Sequence, residues 1–343
     1  MSRRKRRPWI PVFSLLLVVA LAIGWTAVWH FASTEASRRF DELLAREAAA
    51  GRDWTCENRE DGGWPYRVEI SCDRLTGRVL AGAQSYDVVA GDFRILALAY
   101  RPNHVIAELG APLTVTKPDG GDPLLEARWD LLHASARGRP GAVESADIAV
   151  EGLQGSAPGL ADFPGVRNAF AAERAEIHAR DAGRSGDTAD IEVAASGSGI
   201  VYAPDEGSPP PFGLDGRGML RNVPLRPQGR PAAALASAGS SAEIARLRLD
   251  QQGSTIHLDG TVRLDAQSRP AGTLRLAARG GDLTTPGAEG AFGGILPILA
   301  MALRFTGKPV EIDGEPASAA DIVIADGEIR LGPVVLGKVG PLR

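Results

Sequence analysis

The chain has 343 residues, 44% hydrophobic and 23% charged, globular proportions that argue against a disordered, collagen-like or low-complexity protein. A net charge of −4 and a pI near 5.8 provide no global electrostatic footprint for nucleic acid, which is not expected as a partner. Gly 41 and Pro 24 against 6% aromatic residues favour short strands joined by many turns, and 5 His with 2 Cys leave most metal and thiol chemistry short of ligands.

Arg3, Arg4, Lys5, Arg6 and Arg7 precede an uncharged stretch from Pro8 to Thr34. As a helix, the part from Ile10 to Ala32 spans ~34 Å at ~1.5 Å per residue, matching a ~30 Å hydrocarbon core with some tilt. Residues 8–32 are therefore predicted to form a transmembrane helix. Residues 1–7 form a basic tail that the positive-inside rule sets in the cytoplasm, against lipid headgroups. Trp9 at one end and Trp25 and Trp29 toward the other suit interfacial positions. The bulk of the chain is then exported. Two alternatives stand beside the anchor. A buried soluble helix has no use for the flanking cations, and a signal peptide cut after Ala22 or Ala27 usually has a shorter apolar region, ~7–15 residues. From 33 to 51, Phe40, Leu43, Leu44 and Glu47 read as an amphipathic helical stalk ending at Gly51.

Cys56 and Cys72, the only cysteines, follow the anchor in the compartment expected to be oxidising, so a disulfide is predicted. Tyr66, Val68, Ile70 and Cys72 alternate with Arg67, Glu69 and Ser71 as in a strand, and a hairpin turning near 62–64 would set the two cysteines nearly opposite each other. The alternative, a redox or metal pair, lacks a CxxC motif and a nearby His.

From Leu75 the chain becomes a succession of short alternating segments. Strands are expected at 77–81, 85–90, 92–100, 103–111, 113–117, 124–136 and 144–151, then at 173–179 and 189–196 around a turn at 181–187. The Gly- and Pro-rich stretch from Tyr202 to Pro231 reads as a boundary between sheet segments or a long loop, with a short helix at 232–238 to follow. Alternation resumes through Leu247, Leu249, Ile256, Leu258, Val262, Leu264, Leu274 and Leu276, the pattern of a sheet with one apolar and one polar face. The apolar run 291–305, interrupted by Pro297, is too short to span a bilayer and is expected as a helix on the apolar face or at the membrane surface. Segments 319–324 and 327–336 around Asp326-Gly327 form a closing hairpin. The fold class is thus mainly β: an N-terminal transmembrane helix, then an elongated, curved antiparallel sheet in residues 52–343 with one or two short covering helices, subdivided if anywhere near 202–240.

Catalytic signals are sparse. His104, His133, His178 and His257 sit on separate predicted strands with no HxH or HExxH pairing, where a structural or solvent-facing role is the ordinary one. No GxSxG elbow occurs, and Gly197-Ser198-Gly199, Gly307-Lys308 and Gly337-Lys338 are incomplete as nucleotide loops. A carboxylate pair is conceivable, but no pattern selects one. No cofactor, no metal and no enzymatic activity are expected.

Three stretches together resemble the bacterial envelope family called domain of unknown function 2125. They are the amino-terminal anchor, the segment Trp54-Thr-Cys56 through Gly63-Trp64-Pro65-Tyr66-Arg67-Val68-Glu69-Ile70-Ser71-Cys72, and Leu258–Asp265 followed by Pro270–Leu276. Trp64 and Tyr66 stand where Phe is expected in a Gly-Phe-Pro-Phe-Arg form, keeping an aromatic at each place. The resemblance implies a single-pass inner-membrane protein with its bulk in the periplasm, and brings no catalytic residues. The chain is also loosely similar to AsmA-like envelope proteins and to the secretion-system N protein, which implies a curved sheet with an apolar concave face and contact with lipid. The leading expectation is an envelope protein that binds or conducts lipid or another hydrophobic ligand along the sheet. A scaffold or assembly factor for envelope or secretion proteins is the alternative. Whether the apolar face is an open groove or a filled core separates the two.

Overall fold

The computed structural model describes residues 9–81, 84–139, 142–158, 169–203, 210–226, 230–280, 303 and 306–342. One helix, α1 (Trp9–Ala49), runs through both the expected span and the expected stalk without a break. It is long and apolar enough to cross a membrane, and Val12 to Phe31 expose most of their apolar side chains in the isolated chain. Its polar continuation is stitched by exposed ion pairs of Arg38 with Glu35 and Glu42 and of Arg39 with Glu35. Two guanidiniums on one carboxylate, Arg38 foremost, hold the Glu35 pKa down to about 2. At Gly51 the backbone turns left-handed, φ +79°, and the Gly51 carbonyl accepts a hydrogen bond from Leu80 N at 2.8 Å.

Among the described residues after the helix, the strands all belong to one open antiparallel sheet, accompanied by a short second helix. Eleven strands build a fork: β1 (Arg52–Glu57), β2 (Glu60–Gly62), β3 (Arg67–Cys72), β4 (Arg74–Ala81), β5 (Gln84–Ala90), β6 (Phe93–Leu98), β7 (Arg101–Leu109), β8 (Leu113–Thr116), β9 (Leu125–Arg128), β10 (Leu131–Arg139) and β11 (Ala142–Ser156). One arm is β1-β4-β5-β8-β9 and the other β2-β3-β6-β7-β10, by pairing. The arms join at β11, which gives residues 142–151 to β10 and 154–156 to β9 along one edge. The split falls at Gly152, whose φ is +63° and whose Cβ, if present, would collide with the Asp130 carboxylate at the corner between β9 and β10. The single strand expected over 124–136 is therefore two, because the chain changes arms at Trp129–Asp130. Trp129 is buried there and donates its indole N–H to the Leu109 carbonyl at 2.7 Å.

Beyond the fork the sheet is a simple succession: β12 (Ala169–Ser185), β13 (Thr188–Ala203), β14 (Phe212–Pro224), β15 (Ser241–Gln251), β16 (Ser254–Leu264), β17 (Pro270–Arg279) and β19 (Glu315–Ala325), each paired with the one before. The far edge of β19 carries β18 (Lys308–Ile312) and β20 (Glu328–Leu331), with β21 (Val334–Lys338) outermost. The Asp326-Gly327 hairpin is the turn between β19 and β20. The stretch 202–231, read as a boundary or loop, instead contains β14, bonded on both sides, so the sheet continues across it. The helix at 232–238 is present as α2 (Pro231–Ser237), entered through Pro231 and buried at Ala232 and Ala234. The helix expected over 291–305 lies outside the described residues except for Leu303, which is buried with Leu276, Ala278 and Leu331.

Cys56 and Cys72 are bonded, with Cα atoms 5.3 Å apart. Their setting differs from the expected hairpin. That hairpin exists, as β2 on β3, but Cys56 lies upstream on β1, which crosses to pair with β4. The bond therefore ties one arm of the fork to the other, and closing a loop of this length contributes ~3 kcal/mol in the chain-entropy model.

Candidate functional site

In an antiparallel sheet, residues directly opposite one another share a face. One such row runs Ile70, Ile95, Ala107, Ala134, Ile148, Ile177, Ala195, Gly216, Leu247, Leu258, Leu276 and Ala320, from β3 to β19. The row two residues along is Val68, Ala97, Val105, Ala136, Ala146, Ala179, Val193, Gly218, Ile244, Gly260, Leu274 and Ile322. Neither row contains a polar side chain. An apolar surface thus crosses the body from the strands beneath α1 to the C-terminal edge.

Coverage along this surface is uneven. At the C-terminal end Leu303 and Leu331 close it into a packed core with Leu276 and Ala278. In the middle it is open: Ile148 and Ile177 are 48% and 51% exposed. There small residues make a floor and larger ones the walls. A depression of about 550 Å³ has Ala172 and Ala175 beneath Leu153, Phe170, Ile200, Phe212, Leu214 and Leu249. A second, about 260 Å³, has Ala195, Gly216 and Gly218 beneath Val193, Leu220 and Ile244, and Leu247 borders both. At the N-terminal end α1 lies over the surface without filling the gap. A cleft of about 520 Å³ separates Phe31, Ala36, Phe40 and Leu43 from Val68, Ile70, Ile95 and Val105, with Glu35, Arg39 and Arg46 also among its lining residues. Phe40, one of the lining residues, stacks on Phe93 at 6.3 Å, with the Arg59 guanidinium 5.1 Å from its ring. These volumes fall in the ~300–1,000 Å³ range of small-ligand sites or just below it.

The opposite face is charged. Across it run Ser71, Arg94, Glu108, His133, Ala149, Glu176, Ser196, Asp215, Arg248 and His257. All four strand histidines fall on this side. His178 bonds the Asp147 carboxylate at 2.8 Å, which raises the histidine pKa and lowers that of Asp147. Arg174 pairs with Glu151 and Glu176, and Arg248, its pKa raised by Asp250 and Asp313, bridges both. Among the described residues no group of His, Cys, Asp and Glu has the placement to hold a metal ion.

Of the residues singled out for the membrane interface, Arg3, Arg4, Lys5, Arg6 and Arg7 lie outside the described residues. Trp9 opens α1, and its side chain is likewise outside them. Trp25 and Trp29 have a role the sequence did not announce. Their indole N–H groups donate to the carbonyls of Pro65 at 2.9 Å and Arg67 at 2.7 Å, pinning the helix to the turn before β3. The groove floor was also missed, because glycines in β14 read as turn residues when no partner strand is in view.

Comparison with the curated proteins and with the solved structures finds no match, so the looser likeness to AsmA-like proteins is not shown. A family model, described as an uncharacterized protein conserved in bacteria, matches residues 29–340, nearly the whole chain, including the cysteine-linked fork, the apolar surface and the end of the anchor. The chain belongs to that family, DUF2125.

Proposed function

We propose that this protein is a single-pass inner-membrane protein whose periplasmic sheet holds acyl chains of lipid, or another elongated hydrophobic ligand, along its apolar surface in maintenance of the cell envelope. One observation carries the reading: the apolar rows are continuous across twelve strands and begin under the helix that is long and apolar enough to span the bilayer. A surface of this kind, open at its centre, is costly in water unless something apolar occupies it. The reading requires shape and apolar contact and no catalytic group. The Cys56–Cys72 bond fits an oxidising compartment, and the cations of residues 3–7 fit a cytoplasmic amino end.

The test is native mass spectrometry of the full chain extracted in mild detergent. Co-purifying phospholipid, or phospholipid acquired on incubation, is expected as discrete mass additions. Protein that carries none and acquires none would overturn lipid binding and leave a scaffold for other envelope proteins.

A further inference from the structure

The turn between β2 and β3 presents Gly63, Trp64, Pro65 and Tyr66, with no charge among them. Trp64 is 58% exposed and Tyr66 70%, in a chain with few aromatic residues. Alongside runs the turn between β6 and β7, since Ala99 N donates to the Tyr66 carbonyl at 2.8 Å, and its Tyr100 is 63% exposed. Three large aromatic side chains thus project, more than half exposed, at one end of the fork.

Their height relative to the membrane is fixed by α1. Trp25 bonds Pro65, and Trp25 lies inside the uncharged stretch, ten residues before Glu35, the first charge after it. Ten helical residues are ~15 Å. A turn bonded at that level cannot stand clear of the bilayer if α1 crosses it. Trp and Tyr favour the headgroup level, where an apolar ring and a polar edge are both accommodated, and Arg101 flanks the second turn as a headgroup-facing cation would, while Arg67 beside the first is ion-paired with Glu69 at 2.7 Å.

We propose that Trp64, Tyr66 and Tyr100 form a second membrane contact, inserted in the interface of the outer leaflet beside α1. The occupant is the bilayer itself, chosen by continuity with the apolar span to which this end of the fork is hydrogen-bonded. Two contacts fix the tilt of the sheet where one helix alone would leave it free, and they bring the Phe31 end of the cleft between α1 and the sheet close to the membrane interface. The proposal rests on α1 spanning the membrane.

With Cys56 and Cys72 joined, an introduced cysteine is the only free thiol in the chain. Trp64→Cys, Tyr66→Cys, Tyr100→Cys, Val18→Cys in the span and Ala49→Cys at the far end of α1 are each labelled with an environment-sensitive fluorophore. The full-length proteins are reconstituted in phosphatidylethanolamine–phosphatidylglycerol vesicles containing nitroxide lipids, labelled either near the headgroup or deep in the chain. Deep nitroxide is expected to quench Val18→Cys, and headgroup-level nitroxide to quench the three turn positions by about half or more, as for residues in an interfacial belt. Ala49→Cys, ~36 Å along the helix from Trp25, is expected to remain unquenched. Turn positions quenched no more than Ala49→Cys, with Val18→Cys quenched, would overturn the second contact and leave the anchor standing. An unquenched Val18→Cys would overturn the anchor and this contact with it. Uniform quenching that includes Ala49→Cys would mean the protein lies flat on the surface, which also overturns the proposal.

Discussion

At the scale of single residues, the charged face is organised by pairs whose contribution depends on pH, and His178 is the most sensitive. The Asp147 carboxylate, and after it Glu176, favour the imidazolium, so the folded pKa of His178 lies above its ordinary value; Asp147 lies below its own because of His178, and Glu176 below its own because of Arg174 first and His178 after it. A raised histidine contributes stability below its unfolded pKa of about 6.5 and loses it as pH rises through the folded value. The lowered carboxylates contribute above their unfolded values of about 4 and lose it as pH falls through the folded ones. The pairing is therefore fullest between those limits, in mildly acidic solution. Replacing His178 with Ala is expected to lower stability by a few tenths of a kcal/mol at pH 6, a small figure because the pair is exposed, and by less at pH 9. Denaturant unfolding of both proteins at the two pH values checks this. A difference that grows toward pH 9 contradicts the assignment.

At the scale of elements, the strands were legible where period-two alternation is unbroken and illegible where glycine replaces a side chain. Leu247, Leu249, Ile256 and Leu258 alternate cleanly and their strands are where the sequence places them. β14 is not readable this way, because Gly213, Gly216 and Gly218 look like turn residues until the partner strands are present. A Cβ at Gly218 would meet the Glu243 carbonyl at 2.5 Å, and one at Gly216 would meet Leu247 Cδ1 at 3.0 Å. The long strands β12 and β13 were seen only in part for a related reason. Gly152 and Gly199 adopt φ of +63° and +59° on the strands either side of β12, and these irregularities interrupt the pattern locally while the sheet continues. They also return Leu153, Ala172, Ile200 and Phe212 to the apolar side, which builds one end of the larger depression. Gly199→Ala forces a left-handed backbone on a residue with a Cβ and displaces Glu173, and is expected to destabilise by ~1–2 kcal/mol. Thermal and denaturant melts measure it, and an unchanged midpoint would show that the irregularity is not locked.

At the scale of the whole molecule, the division into two faces makes a comparison available, because exposed positions on opposite faces of one sheet are alike in solvation and differ in the surface they belong to. The disulfide, the helix and the two-faced sheet were readable from the chain alone; the fork and the groove were not, since both depend on which strand lies beside which. Ile177 is exposed on the apolar side and Thr273 exposed on the charged side. A carboxylate at either position is solvated, so Ile177→Glu and Thr273→Glu should both fold with melting temperatures close to the parent. They should part in binding. At Ile177 the charge stands in the open stretch of the apolar surface, where an acyl chain would have to strip its water, at a penalty of several kcal/mol that the chain's own burial does not offset. Native mass spectra of Ile177→Glu are therefore expected to lose lipid adducts about tenfold or more, as a penalty above ~1.4 kcal/mol requires, while Thr273→Glu keeps them. Equal loss in both would trace the effect to net charge. Retention in both would show that bound lipid does not cross the middle of the sheet, confining any lipid to the cleft beneath α1 and separating a path along the surface from a pocket at the membrane.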